Sequence, residues 1–152
     1  MNEPQDRMSF HLQTNTCAAA APAGAEAQTI LVVDDYLSLC EVIAGMLRPR
    51  GYRVLTASSG EEAKALAREN ARIELLLTDL EMPEMRGDEL GLWFRAAAPE
   101  TRILFMSNQR PVLPALEPFH FLRKPLSADA LISKVREVLN HNSPPFAETA
   151  AA

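Results

Sequence analysis

Short, mainly apolar runs alternate with amphipathic stretches along the middle of this chain. The longer apolar runs are Thr29–Val33, Ile73–Thr78 and Arg102–Met106, and two shorter ones lie at Arg53–Ala57 and Phe119–Leu122. Continuous apolar runs of this length are typical of strands that are buried on both faces of a parallel sheet. The pattern therefore predicts five strands.

Stretches with a helical spacing of apolar residues separate these strands. They cover Tyr36–Arg50, Gly87–Ala98 and Ser127–Asn140, and Ser58-Ser59-Gly60 offers a cap for another helix after the second strand. Strands that alternate with helices imply a parallel sheet covered on both faces through right-handed crossovers. We therefore predict an α/β domain of the flavodoxin-like (βα)5 type, a doubly wound sheet with strand order 2-1-3-4-5.

The segment between the fourth and fifth strands breaks this alternation. Asn108–Pro118 contains Pro111, Pro114 and Pro118, and a proline inside a helix costs about 3 kcal/mol or more. A single turn near Pro114–Glu117 is compatible with the sequence, because a helix can begin at a proline. The fourth helix of the (βα)5 pattern is therefore predicted to be shortened or absent.

The two ends of the chain differ in composition from the middle. Residues 1–28 and 142–152 combine polar residues with alanine and proline, so we predict a disordered leader and a flexible tail around a domain at 29–141. The net charge of −5 argues against a nucleic-acid partner. No apolar stretch approaches the roughly 18 residues of a membrane span, and no export signal is visible. We therefore expect no membrane association and a cytoplasmic location.

Polar residues stand where four of the predicted strands end. Asp34 and Asp35 follow the first strand, Asp79 the third, Ser107 the fourth and Lys124 the fifth. Taken alone, each residue could have an ordinary structural role, as a helix cap, a turn residue, a loop hydroxyl or a solvated charge. Because the carboxyl ends of parallel strands share one edge of the sheet, the five residues together indicate a site there.

Three carboxylates that converge at one edge repel each other. At a separation of ~4 Å and an effective dielectric constant of ~20, each pair costs ~4 kcal/mol. A divalent cation removes this cost, and an all-oxygen ligand set favours Mg²⁺. One carboxylate can then act as a nucleophile toward a phosphoryl group, whose charge the lysine ammonium and the hydroxyl group neutralise.

Four segments of the chain resemble the receiver domain of two-component response regulators. They are Ile30–Asp35, Leu75–Gly87, Ile103–Ser107 and Phe121–Pro125. The second segment contains the highly specific motif Asp-x-x-Met-Pro-x-Met-x-Gly. The resemblance extends over nearly all of the alternating middle of the chain. It implies a phosphoacceptor signalling domain that catalyses its own phosphorylation and dephosphorylation and is otherwise not an enzyme.

The resemblance also implies a role for each acidic residue. Asp79 matches the phosphoacceptor of the family, and Asp35 the direct Mg²⁺ ligand. Asp34 matches the acid that usually reaches the metal through water. The backbone carbonyl of Glu81 is expected to complete the protein's metal contacts, and the Glu81 side chain adds a negative charge beside the site.

The remaining roles concern phosphoryl binding and switching. The resemblance implies that Lys124 pairs first with the carboxylate and then with the phosphoryl group, and that Ser107 closes on that group. Ser107 and Phe121 would form the switch, although phenylalanine lacks the hydroxyl of the tyrosine alternative. The Lys124-Pro125 peptide bond is expected to be cis, as in other members of the family.

The implied partners are proteins. A histidine kinase or a phosphotransfer protein would supply the phosphoryl group. Only a short tail follows Asn140, so output is expected to pass to a downstream protein or through a larger parent chain. The altered segment between strands four and five motivates an alternative, a receiver-like interaction module that works without phosphorylation.

Two further interpretations are weaker. A phosphatase of the haloacid-dehalogenase type would need Asp-x-Asp after the first strand, and Tyr36 stands at the second acid position. His120 and His141 lack the spacing along the sequence of a metal-binding pair, so neither is predicted to be a ligand.

Overall fold

The computed structural model describes residues 26–141, in which five strands alternate with four α-helices. The strands are β1 (Thr29–Val33), β2 (Arg53–Ala57), β3 (Leu75–Asp79), β4 (Arg102–Ser107) and β5 (His120–Arg123). The helices are α1 (Leu37–Leu47), α2 (Gly60–Glu69), α3 (Gly87–Ala97) and α4 (Ala128–Asn140). The predicted leader lies outside the described residues except for its last three, and the predicted tail lies outside them entirely.

The five strands form one parallel sheet with the order β2-β1-β3-β4-β5. The predicted fold class and strand order are therefore confirmed. The register matters for the site, because Val33 at the end of β1 pairs with Thr78 near the end of β3. The residues that follow them, Asp34 and Asp79, are thus brought side by side at the carboxyl edge of the sheet.

Apolar side chains fill a core layer on each face of this sheet. One layer lies under α1 and α4, and the other lies under α2 and α3. Successive residues of β1 alternate between the two layers, with Ile30 and Val32 in the first and Leu31 and Val33 in the second. This alternation explains why the sequence of β1 is a continuous apolar run, since both faces of the strand are covered.

Several predicted boundaries differ from the observed ones by one to three residues, and two of these differences have a clear local cause. β3 ends at Asp79 rather than Thr78, because the ladder to β4 continues until the Leu80 N–H donates to the Met106 carbonyl at 3.1 Å. Asp79 is therefore the last residue of the strand. The first helix ends at Leu47 and passes into a single 3-10 turn, Arg48–Arg50, in which Pro49 interrupts the α-helical pattern.

The segment 108–119 between β4 and β5, which we call the connector, contains one 3-10 turn, Pro114–Leu116, and no α-helix. This confirms the prediction for this part of the fold. Leu113 and Leu116 of the connector are nonetheless buried in the layer below α3. The Arg95 guanidinium of α3 donates to the Ala115 carbonyl at 2.7 Å. The connector is therefore packed and hydrogen-bonded to the domain in place of the missing helix.

A glycine lets α3 approach the connector closely. A Cβ atom on Gly91 would lie 2.9 Å from the Phe105 ring and 3.5 Å from Leu116. The peptide bonds Glu117-Pro118 and Lys124-Pro125 are both cis, as predicted for the second. Within the described residues, no helix is both long and apolar enough to cross a membrane.

Candidate functional site

Three carboxylates meet where β1 and β3 end. Asp34, Asp35 and Asp79 each offer an oxygen atom, and these atoms all lie within 4.8 Å of one another. Asp34 is fully buried and Asp79 is 6% exposed. The sheet register and the turn into α1 produce this convergence, since residues 34 and 35 leave β1 at the same edge at which β3 ends.

Both carboxylate oxygens of Asp34 are already occupied by protein donors. The Tyr36 N–H donates to Oδ1 at 2.9 Å, and the Lys124 ammonium donates to Oδ2 at 2.9 Å. The bond from Tyr36 is an Asx turn, in which an aspartate accepts from the backbone two residues later. Asp34 is therefore fixed in place, and its charged partner is Lys124.

The backbone of β5 places Lys124 against these acids. The backbone N–H of Lys124 donates to the Ser107 carbonyl at 2.9 Å. The Nζ atom of Lys124 lies 3.4 Å from Asp79 Oδ1, in addition to its hydrogen bond to Asp34. Burial alone would lower the pKa of Lys124, but the hydrogen bond to Asp34 and the charges of Asp79 and Asp34 raise it. The ammonium group therefore stays charged between the two carboxylates.

The pKa of Asp79 is raised above its ordinary value. Burial is the main cause, the charge of Asp34 adds to it, and the neighbouring Lys124 opposes it. One lysine thus compensates only part of the cost of ionising this carboxyl group inside the cluster. A further positive charge at the site would favour the ionised, nucleophilic form.

Asp35 has an oxygen atom that no protein group satisfies. Its Oδ1 is buried and has no hydrogen-bond partner, a situation that normally carries a desolvation cost of about 1–3 kcal/mol, or more for a charged group. A cation ligated by this oxygen would remove that cost. The residues present therefore fit a hard divalent ion such as Mg²⁺, with Asp35 as the free ligand and Asp34 held by Lys124.

A close backbone approach fixes the loop that follows Asp79. The Gly87 N–H donates to the Leu80 carbonyl at 3.0 Å, and a Cβ atom on Gly87 would overlap the Asp79 carbonyl oxygen. The Thr78 hydroxyl also donates to this oxygen, at 3.0 Å. The start of α3 is therefore seated directly on the backbone of Asp79, which explains the need for glycine at this point.

Ser107 joins the site to the connector. It ends β4, is 6% exposed, and its Oγ accepts the Gln109 N–H at 3.3 Å. Beside it lies a cavity of about 200 Å³ between the connector and the loop after β3. Polar residues around this cavity are Glu81, Arg86, Ser107, Gln109 and Arg110.

Comparison with known proteins agrees with this geometry. The family model for the response regulator receiver domain matches residues 30–136. The chain belongs to this family. It is a receiver domain of the two-component response-regulator type, as the motifs in its sequence predicted.

Curated relatives share the receiver domain but are much longer proteins. The chain is 36% identical over 131 residues to the transcriptional regulatory protein ZraR of Klebsiella oxytoca, covering 81% of this chain and 29% of that protein. It is 33% identical over 133 residues to the DNA-binding transcriptional regulator NtrC of Azospirillum brasilense, covering 83% and 27%. The chain thus spans less than a third of the length of these two relatives.

Solved receiver structures match almost over their full length. The receiver domain of the hybrid histidine kinase CckA is 35% identical with a TM-score of 0.65, over 73% of this chain and 98% of that one. The chemotaxis protein CheY4 of Vibrio cholerae is 29% identical with a TM-score of 0.67, over 74% and 98%. The similarity therefore covers a complete receiver domain.

The receiver fold brings most of the predicted site residues to one edge. The three carboxylates lie within 4.8 Å of one another, and the Lys124 ammonium pairs with two of them, Asp34 and Asp79. Ser107 ends the neighbouring strand, β4. The Glu81 side chain is exposed in the loop after β3, beside the cavity.

The predicted switch aromatic lies further along the sheet. Phe121 is half-buried on β5 and pairs in register with Phe105 of β4. Two contributors to the site were not predicted, the backbone N–H groups of Tyr36 and Gln109. The Asx-turn tendency of Asp34 could have indicated the first, whereas nothing in the sequence indicates the second.

Proposed function

We propose that this receiver domain accepts a phosphoryl group on the carboxylate of Asp79, from a phosphohistidine of a histidine kinase or a phosphotransfer protein, in the cytoplasm. The observation that carries the proposal is the buried, unsatisfied Oδ1 of Asp35 inside a cluster that also contains Asp79. Such a cluster suits a metal-dependent phosphoryl acceptor better than a structural ion pair, because Lys124 leaves that oxygen without a partner.

Asp34, Asp35, Asp79 and the backbone carbonyl of Glu81 would hold Mg²⁺. The first three are supported by the mutual approach of their oxygen atoms. When bound, this ion supplies positive charge that offsets the repulsion among the carboxylates and the charge on the phosphoryl oxygens. Asp34 contributes mainly by holding Lys124, because both of its oxygens already accept protein hydrogen bonds.

The transfer itself needs one bond to form and one to break. An Oδ atom of Asp79 attacks phosphorus, the P–N bond of the donor breaks, and the histidine nitrogen keeps the electron pair. The Lys124 ammonium, 3.4 Å from Asp79 Oδ1, would then pair with the new phosphoryl oxygens. The same site would hydrolyse the aspartyl phosphate with water, so the domain acts on itself only.

Phosphorylation would be reported through Ser107, Phe121 and the connector. The Ser107 hydroxyl now accepts the Gln109 N–H, so a hydroxyl drawn toward a phosphoryl group pulls on the first residues of the connector. Arg123 of β5 donates to the Asn108 carbonyl at 3.2 Å and ties the same residues to the strand that carries Phe121. We therefore propose that the connector is the surface that a downstream protein reads.

Incubation with a small acyl phosphate and Mg²⁺ tests the acceptor. We expect the wild type to gain the mass of one phosphoryl group, and Asp79→Asn to gain none. Asp88→Asn is the matched control, because Asp88 is a nearby carboxylate that pairs with Arg86 outside the cluster. Equal labelling of Asp79→Asn and wild type would exclude Asp79 as the acceptor.

A second arm tests the metal set and the reporter. Asp35→Asn is expected to abolish labelling and to remove the Mg²⁺-dependent shifts in amide spectra. In the labelled wild type, amide signals of the connector should move, and Ser107→Ala should reduce these shifts without preventing labelling. Partner binding that is unchanged by Asp79→Asn would instead favour the phosphorylation-independent module.

A further inference from the structure

The cavity of about 200 Å³ beside Ser107 begins next to the carboxylate cluster. Asp79 pairs in register with Met106, so the residues that follow them, Leu80 and Ser107, lie side by side at the carboxyl edge of the sheet. Leu80 and Glu81 line one side of the cavity, and Ser107 lines the other together with the first part of the connector. The cavity therefore adjoins the proposed phosphoacceptor.

The connector forms its side of this cavity without a helix. Residues 109–113 line the cavity, and the buried Leu113 anchors them in the core layer below α3. At their start, the Gln109 N–H donates to the Ser107 hydroxyl at 3.3 Å. Arg110 lies between these two anchors and is itself part of the cavity lining.

Arg110 carries a charge that no protein group compensates. It is exposed, and its guanidinium has neither an ion pair nor a hydrogen bond among the described residues. Glu81 lines the same cavity without pairing with it in this part of the chain, and Arg86, the other cation of the lining, is held by Asp88 at 3.0 Å. The Arg110 guanidinium is thus the cationic group of the lining that an incoming anion can bind.

A leaving group that becomes an anion suits this lining. When an acyl phosphate donates its phosphoryl group, an Oδ atom of Asp79 forms a bond to phosphorus, the P–O bond to the acyl group breaks, and the acyl oxygen keeps the electron pair. The product is a carboxylate, which a guanidinium group binds through two parallel hydrogen bonds. Because this charge develops during the transfer, a guanidinium beside the leaving oxygen lowers the barrier.

Nitrogen donors leave without such a charge. Phosphoramidate carries its protons on nitrogen and releases ammonia, and a protonated phosphohistidine releases a neutral imidazole. Neither leaving group gains from a neighbouring cation in the way that a carboxylate does. A guanidinium in the cavity would therefore favour acyl phosphates over nitrogen donors.

We propose that Arg110 binds the departing carboxylate of small acyl phosphates, which makes this class of compound a second phosphoryl donor for Asp79 beside phosphohistidine. The inference rests on the proposed function, since it requires transfer to Asp79. Water occupies about 30 Å³ per molecule in the liquid, so the cavity has room for a leaving group of about six non-hydrogen atoms. The buried side chains of Leu80 and Leu113 offer apolar contacts to a short acyl chain.

The rates of mass gain from two donors, acetyl phosphate and phosphoramidate, test the proposal on the full chain with Mg²⁺. In Arg110→Gln we expect the rate with acetyl phosphate to fall about tenfold and the rate with phosphoramidate to stay within about twofold of wild type. The expected loss is smaller than the ~100-fold or more of a buried oxyanion donor, because Arg110 is exposed and its charge is screened. Retained labelling by phosphoramidate shows that the variant folds and keeps its acceptor.

Arg136→Gln is the matched control. Arg136 is an exposed arginine of α4 that does not line the cavity, so its loss should leave the rates with both donors as in wild type. Arg110→Lys keeps the charge but not the planar fork of the guanidinium. It should recover part of the rate with acetyl phosphate.

The two donors separate this proposal from the one on which it rests. If neither donor labels the wild type, the proposed function fails and the role of Arg110 fails with it. If both donors label the wild type, and Arg110→Gln keeps both rates or loses both equally, Asp79 remains the acceptor and only the role of Arg110 is excluded. Labelling of the wild type by phosphoramidate alone, or an equal loss in Arg136→Gln, would overturn that role as well.

Discussion

Gly87, the first residue of α3, lies so close to Asp79 that a methyl group on its Cα would overlap the Asp79 carbonyl oxygen. The obstacle is backbone and not the flexible end of a side chain, so it cannot move aside without moving the proposed phosphoacceptor. The N–H of Gly87 adds a hydrogen bond to the Leu80 carbonyl. One glycine thus couples the start of a helix to the position of the proposed nucleophile.

We expect Gly87→Ala to impair both stability and phosphorylation. Overpacking against backbone costs about 1–3 kcal/mol, and displacement of Asp79 should slow phosphorylation by about 10–100-fold. Urea unfolding and the rate of mass gain from an acyl phosphate measure the two effects. Gly45→Ala in α1 is the control, because no atom lies within 4 Å of the added Cβ, and it should stabilise by about 0.5–1 kcal/mol. Equal behaviour of the two variants would contradict the steric argument.

Removal of the lysine should leave a buried charge without its partner. Asp34 is 0% exposed and its Oδ2 accepts from Lys124, so Lys124→Met should cost about 3 kcal/mol or more of the free energy of unfolding. Lys134→Met removes the same type of side chain from an exposed pair with Glu137 and should cost less than about 1 kcal/mol. Urea unfolding at neutral pH without divalent metal compares them. Similar costs would mean that Lys124 does not compensate Asp34.

The sequence predicted the sheet and the convergence of the acidic residues well because both depend on short-range patterns. β1 is apolar throughout since both of its faces are buried, and the alternation of five strands with helices indicates the doubly wound sheet and its strand order. Once Val33 is set beside Thr78, Asp34 and Asp79 must meet. The proline positions likewise fixed the absence of a helix in the connector.

What the sequence could not predict depends on contacts between distant segments. Nothing local in Leu113 and Leu116 distinguishes a packed connector from a solvated loop, because their burial depends on Gly91 and Arg95 of α3. In the same way, the contact between the rings of His120 and His141, whose centres are 6.1 Å apart, requires the helix to return along β5. The short contact of Lys124 with Asp34, rather than with Asp79, depends on side-chain geometry within the cluster.

The connector should contribute to stability although it lacks a helix. Leu116 is 1% exposed and lies in the core layer below α3, so Leu116→Ala should destabilise by about 2–5 kcal/mol. Val112, in the same segment, is 84% exposed, and Val112→Ala should change the free energy of unfolding by less than about 0.5 kcal/mol. Chemical denaturation of both variants measures the difference. A small effect of Leu116→Ala would show that the connector is not packed in solution.

The lowered pKa of His120 makes the stability of the domain depend on pH. Its pKa in the folded domain lies below the ordinary histidine value of about 6.5, mainly through burial, so the unfolded chain binds the proton more tightly. Stability from the neutral ring is therefore complete above about pH 6.5 and is lost as pH falls toward and through the folded pKa. We expect urea midpoints of wild type to fall more than those of His120→Gln between about pH 7.5 and about pH 5. His141→Gln should keep most of this dependence of the urea midpoint on pH, since burial contributes more than His141 to the lowered pKa of His120. Equal pH dependence in wild type and His120→Gln would refute the assignment of this effect to His120.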